Sequence, residues 1–251
     1  MADAPALRPL SLGEVLDVSF GLYRSLFVPL VVIAVICQSV PMALNVYLSA
    51  SASLLVDIPL TLLYAALAVV LGAIGVAAST FVVSDAYLGR EISATVALQR
   101  AMTLLGRLIL ISLLKSILIG MGLLLLLVPG IIVFAGLALT TPVIVLEAPP
   151  SATAAMGRSW DLTRGFRGKV LLTMVVAIVL LMVPSIAIGG AGALLGADDA
   201  TISLIVLVLQ AVTQIFIYPF VYVVMTVLYY DLRVRREGFD LELLASSLQP
   251  A

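Results

Sequence analysis

The chain contains no histidine and a single cysteine, Cys37, among its 251 residues. Histidine is the commonest general base and metal ligand in enzymes, so its absence removes the usual centre of acid–base and metal chemistry. One cysteine excludes both a disulfide within the chain and a zinc site built on cysteines. No GxSxG, P-loop or HExxH motif is present, and no two carboxylates fall together inside an apolar run. We therefore predict a non-catalytic protein without a cofactor or a metal.

Charged residues are scarce as well. They make up 11% of the chain, hydrophobic residues make up 63%, and the mean hydropathy is +1.26. Soluble globular proteins carry about a quarter of charged residues, so this composition indicates an integral membrane protein. The basic residues lie close to apolar runs, and neither a basic soluble region nor a nucleic-acid reader module is present. Nucleic acid is therefore excluded as a partner.

Long stretches without charge mark the expected membrane spans, because about 20 apolar residues cross the hydrocarbon core of a bilayer. The pattern predicts an all-α protein with six transmembrane helices in a single membrane domain, 1–251. Pro129 and Gly130 are expected to divide the third stretch into a hairpin of two spans; if that stretch is re-entrant instead, two spans are lost together. The stretches are 25–56, 58–84, 108–146 (interrupted only by Lys115), 170–197 and 201–230.

Three short amphipathic segments precede pairs of spans. SATVALQR at 93–100 and SATAAMGR at 151–158 agree in five of eight positions, and a weaker copy with capping-box spacing begins at Ser11. Each unit closes on an acidic residue, namely Asp85, Glu147 or Asp231. We therefore predict three repeats of an interfacial helix plus two spans, at about 11–85, 93–147 and 151–231, followed by a tail at 232–251 that is expected to form a short helix.

The basic residues predict the orientation of the chain. In the six-span arrangement twelve of the thirteen Lys and Arg residues fall on one side, and the opposite loops, around Asp57, Pro129-Gly130 and Asp198-Asp199, contain none. By the positive-inside rule, both termini and all three short helices are expected in the cytoplasm.

Lys115 is the one charge inside a span. A charge at the centre of the hydrocarbon core costs at least about 2.5 kcal/mol, so its position needs an explanation. Its ammonium could snorkel to the interface and meet Glu147 or Asp85. Alternatively, it forms an ion or headgroup site with Thr140 and Thr141, which lie at a similar depth on the neighbouring span.

A polar row follows one face of the last span at intervals of four residues. Such rows usually join helices through hydrogen bonds of about 1 kcal/mol or less each, and this is the interpretation that the sequence favours. The alternative is a pathway lined by water. The row consists of Gln210, Gln214, Tyr218 and Tyr222.

A basic cluster flanks Trp160 and Phe166 next to the third pair of spans. Each basic residue near a membrane surface adds about 1 kcal/mol of attraction to acidic lipid, so the cluster is a candidate for headgroup contacts. Ordinary positive-inside orientation is the alternative explanation. The cluster consists of Arg158, Arg164, Arg167 and Lys169.

Three segments carry a resemblance to a known family: RPLSLGEVLDVSFGLYR at 8–24, VLEAPPSATAAMGRSWDLTRGF at 145–166 and YYDLRVRREGFDLELL at 229–244. Together they resemble the membrane domain of bacterial membrane-anchored glycerophosphoryl diester phosphodiesterases, a family that also includes stand-alone six-span proteins of unknown function. The resemblance implies a multi-pass protein of the bacterial cytoplasmic membrane. The catalytic barrel of those enzymes takes about 250 residues, which six spans do not leave here, so no catalytic residue is carried over.

The sequence therefore favours a non-catalytic scaffold or assembly partner, or a module that organises acidic lipid. Its expected partners are the lipids of the anionic leaflet, with another membrane protein as a further option. The alternative is a transporter or channel-like protein for a lipid or small solute, although transporter repeats are usually inverted or paired and neither kind is evident.

Overall fold

The computed structural model describes residues 8–50, 57–91, 93–195 and 200–239. Within these ranges the chain forms ten helices and no strand. The predicted loop at Asp198-Asp199 and the tail beyond Phe239 lie outside the described residues. The helices are α1 (Leu12–Ser25), α2 (Phe27–Ala50), α3 (Asp57–Tyr87), α4 (Ala94–Thr103), α5 (Leu105–Leu125), α6 (Leu127–Gly136), α7 (Thr140–Leu146), α8 (Ala152–Thr163), α9 (Arg167–Leu195) and α10 (Ala200–Glu237).

Six segments of the described chain are long and apolar enough to cross a membrane: α2, α3, α5, α6 with α7, α9 and α10. They carry large apolar side chains on the outside of the bundle, such as Leu124 at 89% exposure and Leu194 at 90%. A soluble protein would bury these residues, whereas lipid solvates them well. The prediction of an all-helical protein of the membrane type is confirmed for the described residues, with six helical segments that are long and apolar enough to span a membrane.

Three short helices, α1, α4 and α8, begin at the predicted serines. The side-chain oxygens of Ser11, Ser93 and Ser151 each accept a hydrogen bond from a backbone N–H in the first helical turn. At α1 the capping box is complete, because the Glu14 carboxylate also accepts from the Ser11 N–H at 2.7 Å. Since the spans alternate in direction, all three helices lie at one end of the bundle, called here the short-helix end.

The hairpin between the third and fourth spans turns one residue before α6, not at Pro129-Gly130 as predicted. Leu126 is the extended residue that separates α5 from α6. Pro129 lies in the first turn of α6, where a missing backbone N–H costs nothing, and for that reason it does not break the helix. Gly130 instead permits close packing, because a Cβ at Gly122 would stand 2.9 Å from its Cα.

The fourth span is interrupted again between α6 and α7, and α8 packs against this point. A Cβ at Gly136 would lie 2.3 Å from the ring of Trp160, so only glycine allows the indole to approach the backbone. The hydroxyl of Ser159 donates to the Gly136 carbonyl at 2.8 Å. Side-chain donation of this kind satisfies a carbonyl that the helix end leaves without an intrahelical partner.

The best-packed part of the core lies at the short-helix end. Tyr229, Leu228 and Leu232 near the end of α10 are fully buried, as are Val15 of α1 and Leu162 of α8. The last span therefore holds two of the short helices together at this end. Towards the middle of the bundle the packing opens into cavities.

Candidate functional site: two cavities within the membrane

The polar row on α10 lies along a cavity of about 310 Å³ between α2, α3 and α10. All four predicted residues line it: Gln210, Gln214, Tyr218 and Tyr222. The facing helices add Gln38, Asn45 and Tyr64. Gln210 also reaches α9, where its Nε2 donates to the Ser185 carbonyl at a long 3.4 Å. The four residues of the row thus share one face of α10 as predicted. That face borders the cavity more than it contacts a neighbouring helix.

Lys115 lines a second cavity of about 360 Å³. The hydroxyl-bearing residues Thr80, Ser112 and Thr141 share the wall, and the rest of the lining is largely apolar. Of the two threonines expected near Lys115, the structure brings Thr141 to the cavity and not Thr140. The Thr140 hydroxyl is buried and donates to the Leu137 carbonyl at 2.7 Å.

The two carboxylates expected to meet Lys115 are both engaged elsewhere. Glu147 accepts from Arg158 at 2.7 Å and from the Tyr229 hydroxyl at 2.9 Å. Asp85 pairs with Arg100 at 3.4 Å. Among the described residues, no carboxylate lies within 4 Å of the Lys115 ammonium, and arginines of the short helices bind both acidic span ends.

The two cavities adjoin in the middle of the bundle, where both are lined by Ala68, Gly72 and Tyr222. Gly72 is the central residue of the 31-residue α3. The first cavity extends from it towards the start of α3, at Tyr64, and the second towards the short-helix end, at Thr80. A Cβ added at Gly72 would meet no atom within 4 Å, so the junction is open beside this glycine.

Two members of the basic cluster form internal ion pairs. Arg158 binds Glu147 through two hydrogen bonds, at 2.7 and 3.1 Å, and also pairs with Glu237 at the end of α10. The hydrogen bonds to Glu237 and then Glu147 hold the pKa of Arg158 above its ordinary range. Lys169 pairs with the buried Asp231 and donates to the Leu10 carbonyl at 2.6 Å. Arg158 and Lys169 therefore join helices at the short-helix end.

The other two members are placed differently. The guanidinium of Arg167 lies 3.8 Å from the centre of the Trp160 ring, and its Nε is buried without a hydrogen-bond partner among the described residues. Arg164 is exposed at the end of α8. Headgroup contact by these two arginines stays a prediction.

Several lining residues were not identified from the sequence. Gln38 and Asn45 are seven residues apart, so they share one face of α2, and that spacing in a charge-free span was a usable signal. Ser112 precedes Lys115 by three residues and likewise shares its face. Gly72 carried no such signal, since small residues are common throughout α3.

Within the described ranges, no group of three or more His, Cys, Asp or Glu residues is arranged to hold a metal ion. Comparisons with protein-family models, with curated proteins and with solved structures found no match. The resemblance carried by 8–24, 145–166 and 229–244 therefore stays a prediction, and what the site can do is argued from its own geometry.

Proposed function

We propose that this chain is a non-catalytic, multi-pass protein of the bacterial cytoplasmic membrane that binds a small solute or a lipid inside its bundle and passes it between the two cavities. One observation carries the proposal: a polar cavity and a cavity with a lysine lie end to end and share Gly72 and Tyr222. Of the functions that the sequence left open, this geometry supports the transporter-like alternative best.

The polar groups around the first cavity favour this function over that of a scaffold. Amide and hydroxyl groups that only join helices are packed against their partners, and little space remains between them. Here Gln210, Gln214 and Asn45 surround a volume of about 310 Å³. A polar cavity of this size holds several waters, so hydration stabilises the exposed amides. The same groups can then bind a solute in place of that water.

The threefold repeat with its short helices in the cytoplasm is part of this proposal. Three contacts at the short-helix end support it, each joining the acidic end of one unit to the start of the next. Asp85 contacts Arg100 of α4, and Glu147 contacts Arg158 of α8. Asp231 accepts from the Leu10 N–H just before α1 at 2.7 Å, which closes the three units into a ring.

A cysteine at the junction of the cavities tests the proposed function. In a Cys37→Ser background, Gly72→Cys is reconstituted in vesicles and treated with a hydrophilic, membrane-impermeant methanethiosulfonate from one side or the other. Only a hydrated thiol ionises and reacts, so a residue that alternates between two aqueous compartments is labelled from both sides. The matched control is Ala66→Cys on the same helix, which is exposed on the outside of the bundle and should meet lipid.

We expect Gly72→Cys to react from both sides and Ala66→Cys from neither. Labelling of Gly72→Cys from one side only would indicate a binding site without passage, and the transport part of the proposal would be wrong. If neither cysteine reacts, the cavities are closed to water and the scaffold function is the better one.

A second function, organisation of acidic lipid at the short-helix end, is favoured by the exposure of Arg164 and by the partial exposure of Arg167, whose buried Nε has no hydrogen-bond partner among the described residues. Replacing both by lysine keeps the charge but removes bidentate contact with phosphate. If these arginines bind headgroups, native mass spectrometry should show less retained phosphatidylglycerol in the double variant. If the wild type and the double variant retain equal amounts of phosphatidylglycerol, the two arginines only orient the protein in the membrane.

A further inference from the structure

Lys115 lies in the middle of an apolar helix and has no carboxylate within 4 Å among the described residues. It is the central residue of the 21-residue α5, about 15 Å along the helix from either end. A lysine side chain snorkels over a shorter distance than this, so the Lys115 ammonium does not reach either end of the helix.

Among the described residues, the surroundings of Lys115 offer hydrogen-bond donors and no carboxylate. Ser112 and Thr141 line the same cavity, and within the described part of the chain neither hydroxyl is engaged in a hydrogen bond. Thr80 also lines it, with its hydroxyl donating to the Val76 carbonyl at 2.8 Å. A hydroxyl that has no internal acceptor can turn towards a ligand and donate to it. The cavity thus contains one cation and two free donors.

We propose that the cavity lined by Lys115, Ser112 and Thr141 binds a single anionic group, a phosphate or a carboxylate. The ammonium supplies the charge and the two hydroxyls supply hydrogen bonds. The anion in turn neutralises a lysine that has no described carboxylate within 4 Å. This anion site specifies the class of ligand for the proposed function and rests on that function. The anion is either the headgroup of an acidic lipid or a free small anion, since both present the same chemistry to the site.

The volume and lining of the cavity agree with a charged group that carries an apolar remainder. About 360 Å³ is more than a phosphate or a carboxylate alone needs, and the remaining walls are formed by apolar side chains such as Met174, Val221 and Met225. An apolar part of the ligand would be buried against these side chains. Any part of the ligand that extends past Tyr222 would reach the amides of the first cavity.

The test measures how ligands raise the thermal unfolding midpoint of the full-length protein in a neutral detergent, because a ligand that binds only the folded state raises it with concentration. Three probes are used: dioctanoyl-phosphatidylglycerol, dioctanoylglycerol, which lacks the phosphate, and inorganic phosphate alone. The variants are Lys115→Met, Lys115→Arg, Ser112→Ala and Thr141→Val. Arg24→Met is the matched control, since it removes one charge from an exposed residue of α1.

We expect Lys115→Met to weaken the apparent affinity for the anionic probe about tenfold or more, because a hydrogen bond to a charged group is lost. Ser112→Ala and Thr141→Val should each weaken it about fivefold, whereas Lys115→Arg and Arg24→Met should stay close to wild type. Stabilisation by the lipid alone would identify a headgroup site, and stabilisation by phosphate as well would identify a site for a free anion. Lys115→Met should fold, since it removes a charge from the hydrocarbon core.

The proposal is wrong if Lys115→Met binds the anionic probes like wild type, if Arg24→Met loses as much affinity as Lys115→Met, or if dioctanoylglycerol stabilises the protein equally. Its failure is distinguishable from failure of the proposed function. If Gly72→Cys is labelled from both sides but Lys115→Met binds the anionic probes like wild type, the pathway is supported and the anion site is wrong. If Gly72→Cys is not labelled from both sides but Lys115→Met loses affinity, the anion site is supported and passage is wrong.

Discussion

The carboxylate of Asp231, at the end of the last span, accepts a hydrogen bond of 2.7 Å from the backbone N–H of Leu10, just before the first helix. The same carboxylate binds Lys169 of α9 and Arg235 of α10, and both cations also donate to the Leu10 carbonyl. The side chain of Asp231 has no exposed surface. One buried acid therefore ties the beginning of the described chain to its last two spans.

The first prediction concerns this buried acid. Asp231→Asn leaves Lys169 and Arg235 without their partner, and removing one member of a buried ion pair costs about 3 kcal/mol or more. We expect a large fall in the free energy of unfolding, measured by chemical denaturation in detergent or mixed micelles. Asp161→Asn is the control, because Asp161 is exposed on α8 and should tolerate the same change with little effect. Equal stability of the two variants would show that Asp231 is not the buried ion-pair partner of Lys169 and Arg235.

The second prediction concerns the contact between Gly136 and Trp160. In Gly136→Ala the new methyl group would collide with the indole, so α8 must shift, at a cost of about 1–3 kcal/mol. Trp160 is the only tryptophan of the chain, and its fluorescence should therefore report the shift. Gly157→Ala on the exposed face of α8 meets no atom within 4 Å and should stabilise the helix slightly. An unchanged spectrum in Gly136→Ala would contradict the described packing of α8.

The third prediction concerns orientation. In a Cys37→Ser background, Arg164→Cys at the short-helix end should be shielded from an impermeant thiol reagent in intact cells and should react after permeabilisation. Asp199→Cys, in the predicted loop that has no Lys or Arg and lies outside the described residues, should react without permeabilisation. Arg164 suits this test because it is exposed, whereas Arg158 and Arg235 are held in ion pairs. The reverse labelling pattern would place the short helices outside the cytoplasm.

The ion pairs at the acidic ends of the spans are not predictable from the sequence. The sequence predicts separate roles for Glu147, as the end of a span, and for Arg158, as a cation that faces the membrane. That they bind each other, and that Glu237 joins them, depends on how α8 and α10 pack. Pairing between residues far apart in the chain is a property of helix packing, and no local pattern records it. For the same reason the sequence did not show that Glu147 and Asp85, offered as possible partners of Lys115, bind arginines instead.

The sequence by itself determined the class of the protein, its six spans and the starts of its three short helices. These follow from local physical chemistry: the cost of charge in hydrocarbon defines a span, and a serine that caps backbone N–H groups defines a helix start. Helical periodicity also placed Gln210 and Gln214 on one face of α10, and that face does line a cavity. Only the tertiary structure decided that this face borders a cavity, and that this cavity shares Gly72 with the cavity that Lys115 lines. A cavity is the volume that several packed helices leave unfilled, so it depends on their mutual arrangement and not on the sequence of any one of them.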